Sequence, residues 1–371
     1  MTPQQIAALS APVEKVYAQI VDDLLINIGK HLTSGTWTAR WETEKLSEMG
    51  QLTKENAAII NKYIKDVPKE VYAALSESRK EAITQIETVL ANAPMPLSDS
   101  TLQVVQDFSA QAVDHLNLVN TTMSMSARQL YAKGVTMTAQ TVGQALIAEG
   151  AASVAVGADT RVNALRQTIR KLSDAGITGF TDKAGRNWTP EAYVNMDIRT
   201  TVHNTALKSA DARMQDYGAD VFQVSSHGGA RPLCYPYQGK FYSNSGSAGE
   251  IELGNGNTVK YEPLSATSYG EPAGLFGVNC RHYKIPVLPG ISIPHGKDFI
   301  QPEDQNDEQY AISQEQRRLE RNVRYAKREQ AMLGDLAGPE EAGKVKAAQA
   351  KSRAFAKTNN LTRRYDREQI R

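Results

Sequence analysis

The chain has 371 residues, 41% of them hydrophobic and 22% charged, which suffices for two or three packed domains and argues against wholesale disorder. Forty-two Lys and Arg against 41 Asp and Glu leave a net charge of +1, so any polyanion-binding surface has to be local. Two cysteines exclude a disulfide framework and suit a reducing compartment, and no apolar run is long enough to span a bilayer. The opening residues lack the basic-then-apolar pattern of a secretory signal, so the expectation is a soluble protein made in the cytoplasm, without membrane contact.

The first third has helical periodicity. Ile6, Leu9, Val13, Val16, Ile20, Leu24 and Ile28 recur at three- and four-residue steps and give one apolar face, with Pro12 predicted to start or kink the helix. A loop follows at "TSGTWTARWE", then amphipathic segments over 53–66, 68–91 and 99–133, broken by "NAPMPLSDS". Residues 134–172 continue the helical pattern with an Ala-, Gly- and Thr-rich composition. Gly176, Gly179 and Gly185 then supply turn positions. Thr189-Pro190-Glu191 has the chemistry of a helix start: a hydroxyl cap, proline at the first helical position and an acid in the first turn. Gly218 is placed to stop that helix.

Beyond it, "VFQVSS", "GKFYS" and "IELGNGNTVKY" read as strands, with Asn255-Gly256 as a hairpin turn. Residues 219–295 are expected to form a small Gly- and Pro-rich β-module packed on the 190–217 helix. From about residue 303 the chain is helical and charged. From Gln316 to the end there are 15 Lys and Arg against 7 Asp and Glu. The fold class is α+β: a long helical N-terminal region, 1–172; an α+β module, 173–300; and a charged helical tail, 301–371.

The residues that carry chemistry sit in the module. His227 and Cys234 in "SSHGGARPLC", with Cys280 and His282 in "NCRH", make a Cys2His2 set for one structural zinc ion that would clamp the first loop of the module to its last. Against that, a Cys-x-His pair on a strand points to opposite faces unless a turn intervenes. The alternative is a buried free cysteine beside a hydrogen-bonded histidine, and both readings stay open. No nucleophile elbow, orienting acid or phosphate-binding loop accompanies these residues, so catalysis by either cysteine is disfavoured.

In "HGGARP", Gly228 and Gly229 permit positive φ and Pro232 fixes the exit, while Arg231 is expected to bond loop carbonyls or a carboxylate. Arg199 on the long helix is expected to pair with an acid of the β-module, and His203, one turn along, to be a hydrogen-bonding residue. In the tail, Arg317, Arg318, Arg321, Arg324, Lys327 and Arg328 are candidates for phosphate contact, set against the ordinary reading of a solvated mixed-charge face.

The stretches "DKAGRNWTPEAYVNMDIRTTVHNTA", "VSSHGGARPLCYPYQGKFYS", "GLFGVNCRHYKIPVLPG" and "QRRLERNVRYAKRE" together resemble the phage minor capsid protein 2 family, within the wider group of Mu F-like minor head proteins of tailed phages. The resemblance runs from about residue 175 to the end and more loosely through the helical part. It rests on motif order: the Arg199 helix, the His227-to-Pro232 run with Gly229 and Arg231, "QGKFYS" with Gly239, and Asn279-Cys280-Arg281-His282. Where this chain has Cys234 the family often has histidine, and Cys/His interchange of that kind is what a soft-metal site tolerates.

The resemblance implies a non-enzymatic structural protein of the virion, in the capsid interior near the portal, aiding head assembly and DNA packaging or delivery. The implied partners are the portal protein, the major capsid protein, packaged double-stranded DNA and further copies of itself. A second reading is an effector enzyme carried in the head, metal-dependent or ADP-ribosyltransferase-like, drawing its acid near Arg199 from Glu250, Glu252 or Glu271. A third is a sequence-independent DNA-binding protein acting through the basic tail.

Overall fold

A computed structural model describes residues 1–35, 38, 40–90, 96–149, 154–177, 180–181, 187–293 and 300–370. Gly179 and Gly185, and parts of the breaks read at "TSGTWTARWE" and "NAPMPLSDS", lie outside them. The fold is α+β. Helices α1 (Pro3–Thr33), α2 (Trp41–Ser47), α3 (Met49–Ile64), α4 (Val67–Leu90), α5 (Asp99–Glu149) and α6 (Val154–Ala175) precede a two-stranded ribbon, β1 (Phe180–Thr181) with β2 (Asn187–Trp188). Helix α7 (Pro190–Asp216) leads into β3 (Val221–Val224), β4 (Phe241–Ser243), β5 (Gly249–Glu252), β6 (Thr258–Pro263) and β7 (Lys284–Pro286). Helices α8 (Glu303–Leu333) and α9 (Pro339–Thr358) follow.

Local chemistry accounts for most of the boundaries. Thr189 Oγ1 accepts the Ala192 N–H at 3.2 Å, Pro190 opens α7, and Gly218 (φ +65°) turns the chain out of it. Helix α1, by contrast, begins at Pro3 and continues past Pro12. Proline removes one intrahelical bond to the carbonyl of Ala8, but Ala8 and Pro12 both sit on the exposed side, where water satisfies that carbonyl. The buried face of α1 is the one its periodicity marked, with Val13, Ile20, Leu24 and Ile28 fully enclosed.

The residues pack as two compact units, each assembled from three stretches of chain. The first comprises Met1–Glu14, Asp66–His115 and Val194–Gln314. It contains the five-stranded sheet, ordered β5-β6-β4-β3-β7, in which only the β4–β6 pair is parallel. Val221, Ile251, Leu253 and Val287 form the core of that sheet, with Phe241, Val259 and Tyr261 against them. The sheet is docked on α7: Lys284 Nζ donates to Asp211 Oδ1 at 2.7 Å, and His203 Nε2 meets the His282 carbonyl at 2.8 Å.

The second unit comprises Lys15–Lys65, Leu116–Tyr193 and Glu315–Arg371. It is helical apart from the short ribbon. Helices α1 and α8 cross closely at Gly29, where a β-carbon would run into the backbone of Met332. Arg328 is buried there between two carboxylates, 2.5 Å from Asp22 and 2.7 Å from Glu191.

Candidate metal centre and basic face

The β3–β7 ladder pairs Val224 with Lys284, and reciprocal bonds between Ser225 and Tyr283 carry it one step further. This register brings His227 and His282 together, with ring centroids 4.5 Å apart. Cys280-Arg281-His282 is not strand but irregular chain entering β7, behind a turn in which Asn279 adopts φ +55°. The alternation that would have sent Cys280 and His282 to opposite faces therefore does not apply. Cys280 Sγ lies 3.4 Å from His282 Nδ1 and 4.0 Å from Cys234 Sγ, so the two sulfurs are free thiols. Cys234 comes in on the turn begun by Pro232, where its N–H donates to the Arg231 carbonyl at 2.8 Å.

The three ligand atoms of Cys234, Cys280 and His282 all lie within 4.8 Å of one another, and all three residues are buried. A tetrahedral zinc ion requires edges of about 3.8 Å between two sulfurs and about 3.6 Å between sulfur and nitrogen. The two measured edges, 4.0 and 3.4 Å, match that frame.

The electrostatics of the pair favour one thiolate, on Cys280. The hydrogen bond from Cys234 holds the Cys280 thiol well below its ordinary range, against the cost of burial. The same bond, with burial, pushes Cys234 up. The N–H groups of Phe276 and His282 point at Cys280 Sγ at 3.2 and 3.5 Å, as donors to a thiolate do. Arg231 behaves as expected, donating to the carbonyls of Val278 (2.8 Å) and Gly274 (3.4 Å), and passes within 3.9 Å of Cys234 Sγ.

Gln238, which sequence reasoning missed, organises both histidines. Its Oε1 accepts the His227 backbone N–H at 2.7 Å, which fixes that atom as the oxygen. His282 Nε2, 3.3 Å away, must then donate to it, leaving the Nδ1 lone pair facing Cys280. His227 stands outside the three-atom group. Its Nδ1 bonds the Gly228 carbonyl at 3.0 Å, and burial, then the His282 ring, lower its pKa to about 4.

The remaining motif residues are structural in their contacts. Gly229 (φ +66°) and Gly239 (φ +70°) make left-handed turns that most side chains resist. Arg281 is half-buried between the two candidate ligands. Arg199 is paired with an acid, but the acid is Glu14 of α1, in a two-pronged contact at 2.5 and 2.7 Å, and not one of the β-module. The module's own acids are turned away: Glu250 and Glu252 face solvent on the edge strand β5, and Glu271 is exposed in a turn.

In the second unit the six basic candidates of α8 separate. Arg328 is interior; burial would lower its pKa, and Glu191 and Asp22 more than reverse that. Arg324 donates to the Arg367 carbonyl, Lys327 to Gln369 at 2.6 Å, and Arg318 to Glu315 at 2.6 and 2.7 Å. Arg317 is half-buried and helps hold the charge of Glu320, and Arg321 is exposed. A basic face without such pairing lies instead on α9. Residues 342–365 contain no acid, and Lys346, Lys351, Arg353 and Lys357 are exposed, with no carboxylate in ion-pair reach among the described residues. Between the two rows of cations lie Gly343, Ala347, Ala350 and Ala354, all exposed.

The model of the phage minor capsid protein 2 family matches residues 1–357. The chain belongs to that family. It is 31% identical over 347 residues to a "Structural protein" of Lactococcus phage LL-H, with 88% of each chain covered. A "Structural protein" of Lactococcus phage mv4 is 35% identical over 117 residues, which is 30% of this chain and 93% of the relative. No solved structure matches. It is thus a phage structural protein of the virion, and among the described residues no helix is long and apolar enough to cross a membrane.

Proposed function

We propose that this protein is a non-enzymatic minor component of the phage head, placed in the capsid interior near the portal and acting through its surfaces in head assembly and DNA packaging or delivery. The observation that carries the proposal is the family match over residues 1–357, to which the structure adds inward-facing chemistry in the module. The helices of 1–172 would supply contacts to portal or major capsid protein, and the 173–300 module the rigid part. Co-sedimentation with purified portal or proheads tests this: recovery in the particle fraction is expected, and a protein that never enters heads sinks the proposal.

Two finer assignments belong to the same proposal. Cys234, Cys280 and His282 hold a structural zinc ion that staples the module, since their mutual distances and burial fit one. The phosphate-facing surface is α9, not the Arg-rich part of α8, because the α9 cations are unpaired and outward. Lys346 and Lys357 are about 16 Å apart along the helix. With Lys351 on the other flank and only Gly and Ala between, the helix can approach a duplex closely and carries no side chain there to read base edges.

A further inference from the structure

The zinc reading leaves a question that decides the chemistry of the site. Three protein ligands with an open fourth position are the arrangement of a catalytic zinc ion, whereas structural sites are closed by four. We infer that His227 closes this one, through Nε2, and that Gln238 is the positioning residue that prepares it. This rests on the zinc reading of Cys234, Cys280 and His282.

Four observations carry the inference. His227 Nδ1 lies 3.0 Å from the Gly228 carbonyl and can only donate there, so the lone pair of the neutral ring is on Nε2. Nε2 is enclosed and has no hydrogen-bond partner, a cost that a metal ion in reach would remove. The His227 ring already lies against the ring of His282, an established member of the cluster, at 4.5 Å. The same Gln238 oxygen holds the His227 backbone at 2.7 Å and the His282 ring at 3.3 Å, so one buried side chain ties the chain at one histidine to the ring of the other.

His203 competes with His227 for the fourth position. His203 is also buried close to the cluster, and its Nδ1 has no partner either. Its outer nitrogen, Nε2, is already spent on the His282 carbonyl at 2.8 Å. The nitrogen left over is the one next to its own Cβ, which covalent geometry keeps near the backbone of α7. His227 presents the opposite case, with the inner nitrogen satisfied and the outer one free. Closure of the site requires the His227 ring to move toward the three ligands.

The closed site is neutral: two thiolates balance the ion, and two imidazoles complete it without charge. It also has a mechanical consequence. The loop that carries His227 is fastened to the start of α8 by a reciprocal pair, Ala230 N–H to Asn306 Oδ1 at 2.7 Å and Asn306 Nδ2 to the Ala230 carbonyl at 2.9 Å. Ligation by His227 therefore ties the first turns of α8, as well as the loop, to the strand entry at Cys280.

The test is X-ray absorption at the zinc edge on the full chain, purified without chelator from zinc-supplemented cells, with metal content measured in parallel. The expected result is one zinc per chain with two sulfurs and two imidazoles. His227→Ala should keep the two sulfurs, exchange one imidazole for a water oxygen, and bind zinc more weakly by more than about tenfold. Gln238→Leu should keep all four ligands but weaken binding in the same direction. Absence of zinc from the wild-type chain would overturn the staple itself. Zinc with two sulfurs, one imidazole and one oxygen in the wild type would leave the staple standing and overturn this inference. So would two imidazoles of which one is lost in His203→Gln rather than in His227→Ala. The wild-type ligand count decides even if a variant fails to fold.

Discussion

The β-module and the charged helices α8 and α9 use polar side chains in opposite ways. In the module, Cys234, Cys280, His282 and Arg231 turn inward, and almost every heteroatom has a partner supplied by backbone or by another member of the cluster. In the charged helices the same residue class divides: Arg328 is sealed between two carboxylates, while Lys346, Arg353 and Lys357 have none in reach. A small sheet buries little apolar area and needs its polar groups as fasteners. A helical unit has enough apolar contact to leave cations free for a partner. Charge density alone did not separate these cases, because pairing decides what a charge can do.

The sharpest way to break the comparison is at Arg328. Arg328→Ala leaves Asp22 and Glu191 buried without their cation, and the expected loss is about 3–5 kcal/mol in chemical denaturation. Arg328→Met fills the volume but leaves the same two charges, so it should recover little. If either variant were as stable as the parent, the pair would be a surface contact in solution and the contrast between interior and exposed arginines would fall.

The module gives the next largest effect. If the cluster holds zinc, its removal by a chelator, or Cys280→Ser, should lower the unfolding midpoint by several degrees, since roughly 3–4 kcal/mol of linkage is what a ligand at about a hundred to a thousand times its dissociation constant supplies. Cys280→Ser should then show no further response to chelator. Equal midpoints with and without metal in both proteins would leave the cluster as packing only.

Legibility from sequence followed how local the cause was. The start and stop of α7 were readable because Thr189, Pro190 and Gly218 act within one turn of themselves. The hairpin at Asn255-Gly256 was readable for the same reason, with Gly256 at φ +78°. Pro12 does not start the helix, because a proline on an exposed helix side costs little when water takes the orphan carbonyl. Cys280 and His282 were visible as candidates, but their convergence depends on Asn279 turning the chain just before β7, and on a ladder register set elsewhere. Gln238 carried no signal at all, since a buried glutamine is defined by the two histidines it touches. Arg328 and Arg199 were misassigned because their partners, Asp22 with Glu191 and Glu14, come from distant stretches. The acid-free run of 342–365 was legible and was outweighed by the denser arginines of α8.

A smaller effect tests the cap. Thr189→Ala removes the acceptor for the Ala192 N–H and should cost about 1 kcal/mol, whereas Thr189→Ser should be close to neutral. An unchanged denaturation midpoint in Thr189→Ala would mean that tertiary packing, and not the cap, holds the first turn of α7.

The smallest effect on stability should have the largest effect on partner binding. Lys346→Gln, Arg353→Gln and Lys357→Gln combined touch exposed side chains without ion pairs, so the midpoint should move by less than about 0.5 kcal/mol. If these side chains meet phosphates, affinity for a short duplex in fluorescence anisotropy should fall and the slope of log affinity against log salt should flatten by about 2.7, the contribution of three released counterions. Arg318→Gln on α8 is the control, and it should change neither quantity much because Arg318 already spends its charge on Glu315. Losses equal per charge removed in the two variants would show that the duplex senses only total charge, and would return α8 and α9 to one undifferentiated basic tail. A flattened slope in the α9 variant alone means that the unpaired cations, not the most numerous ones, form the surface that meets the polyanion.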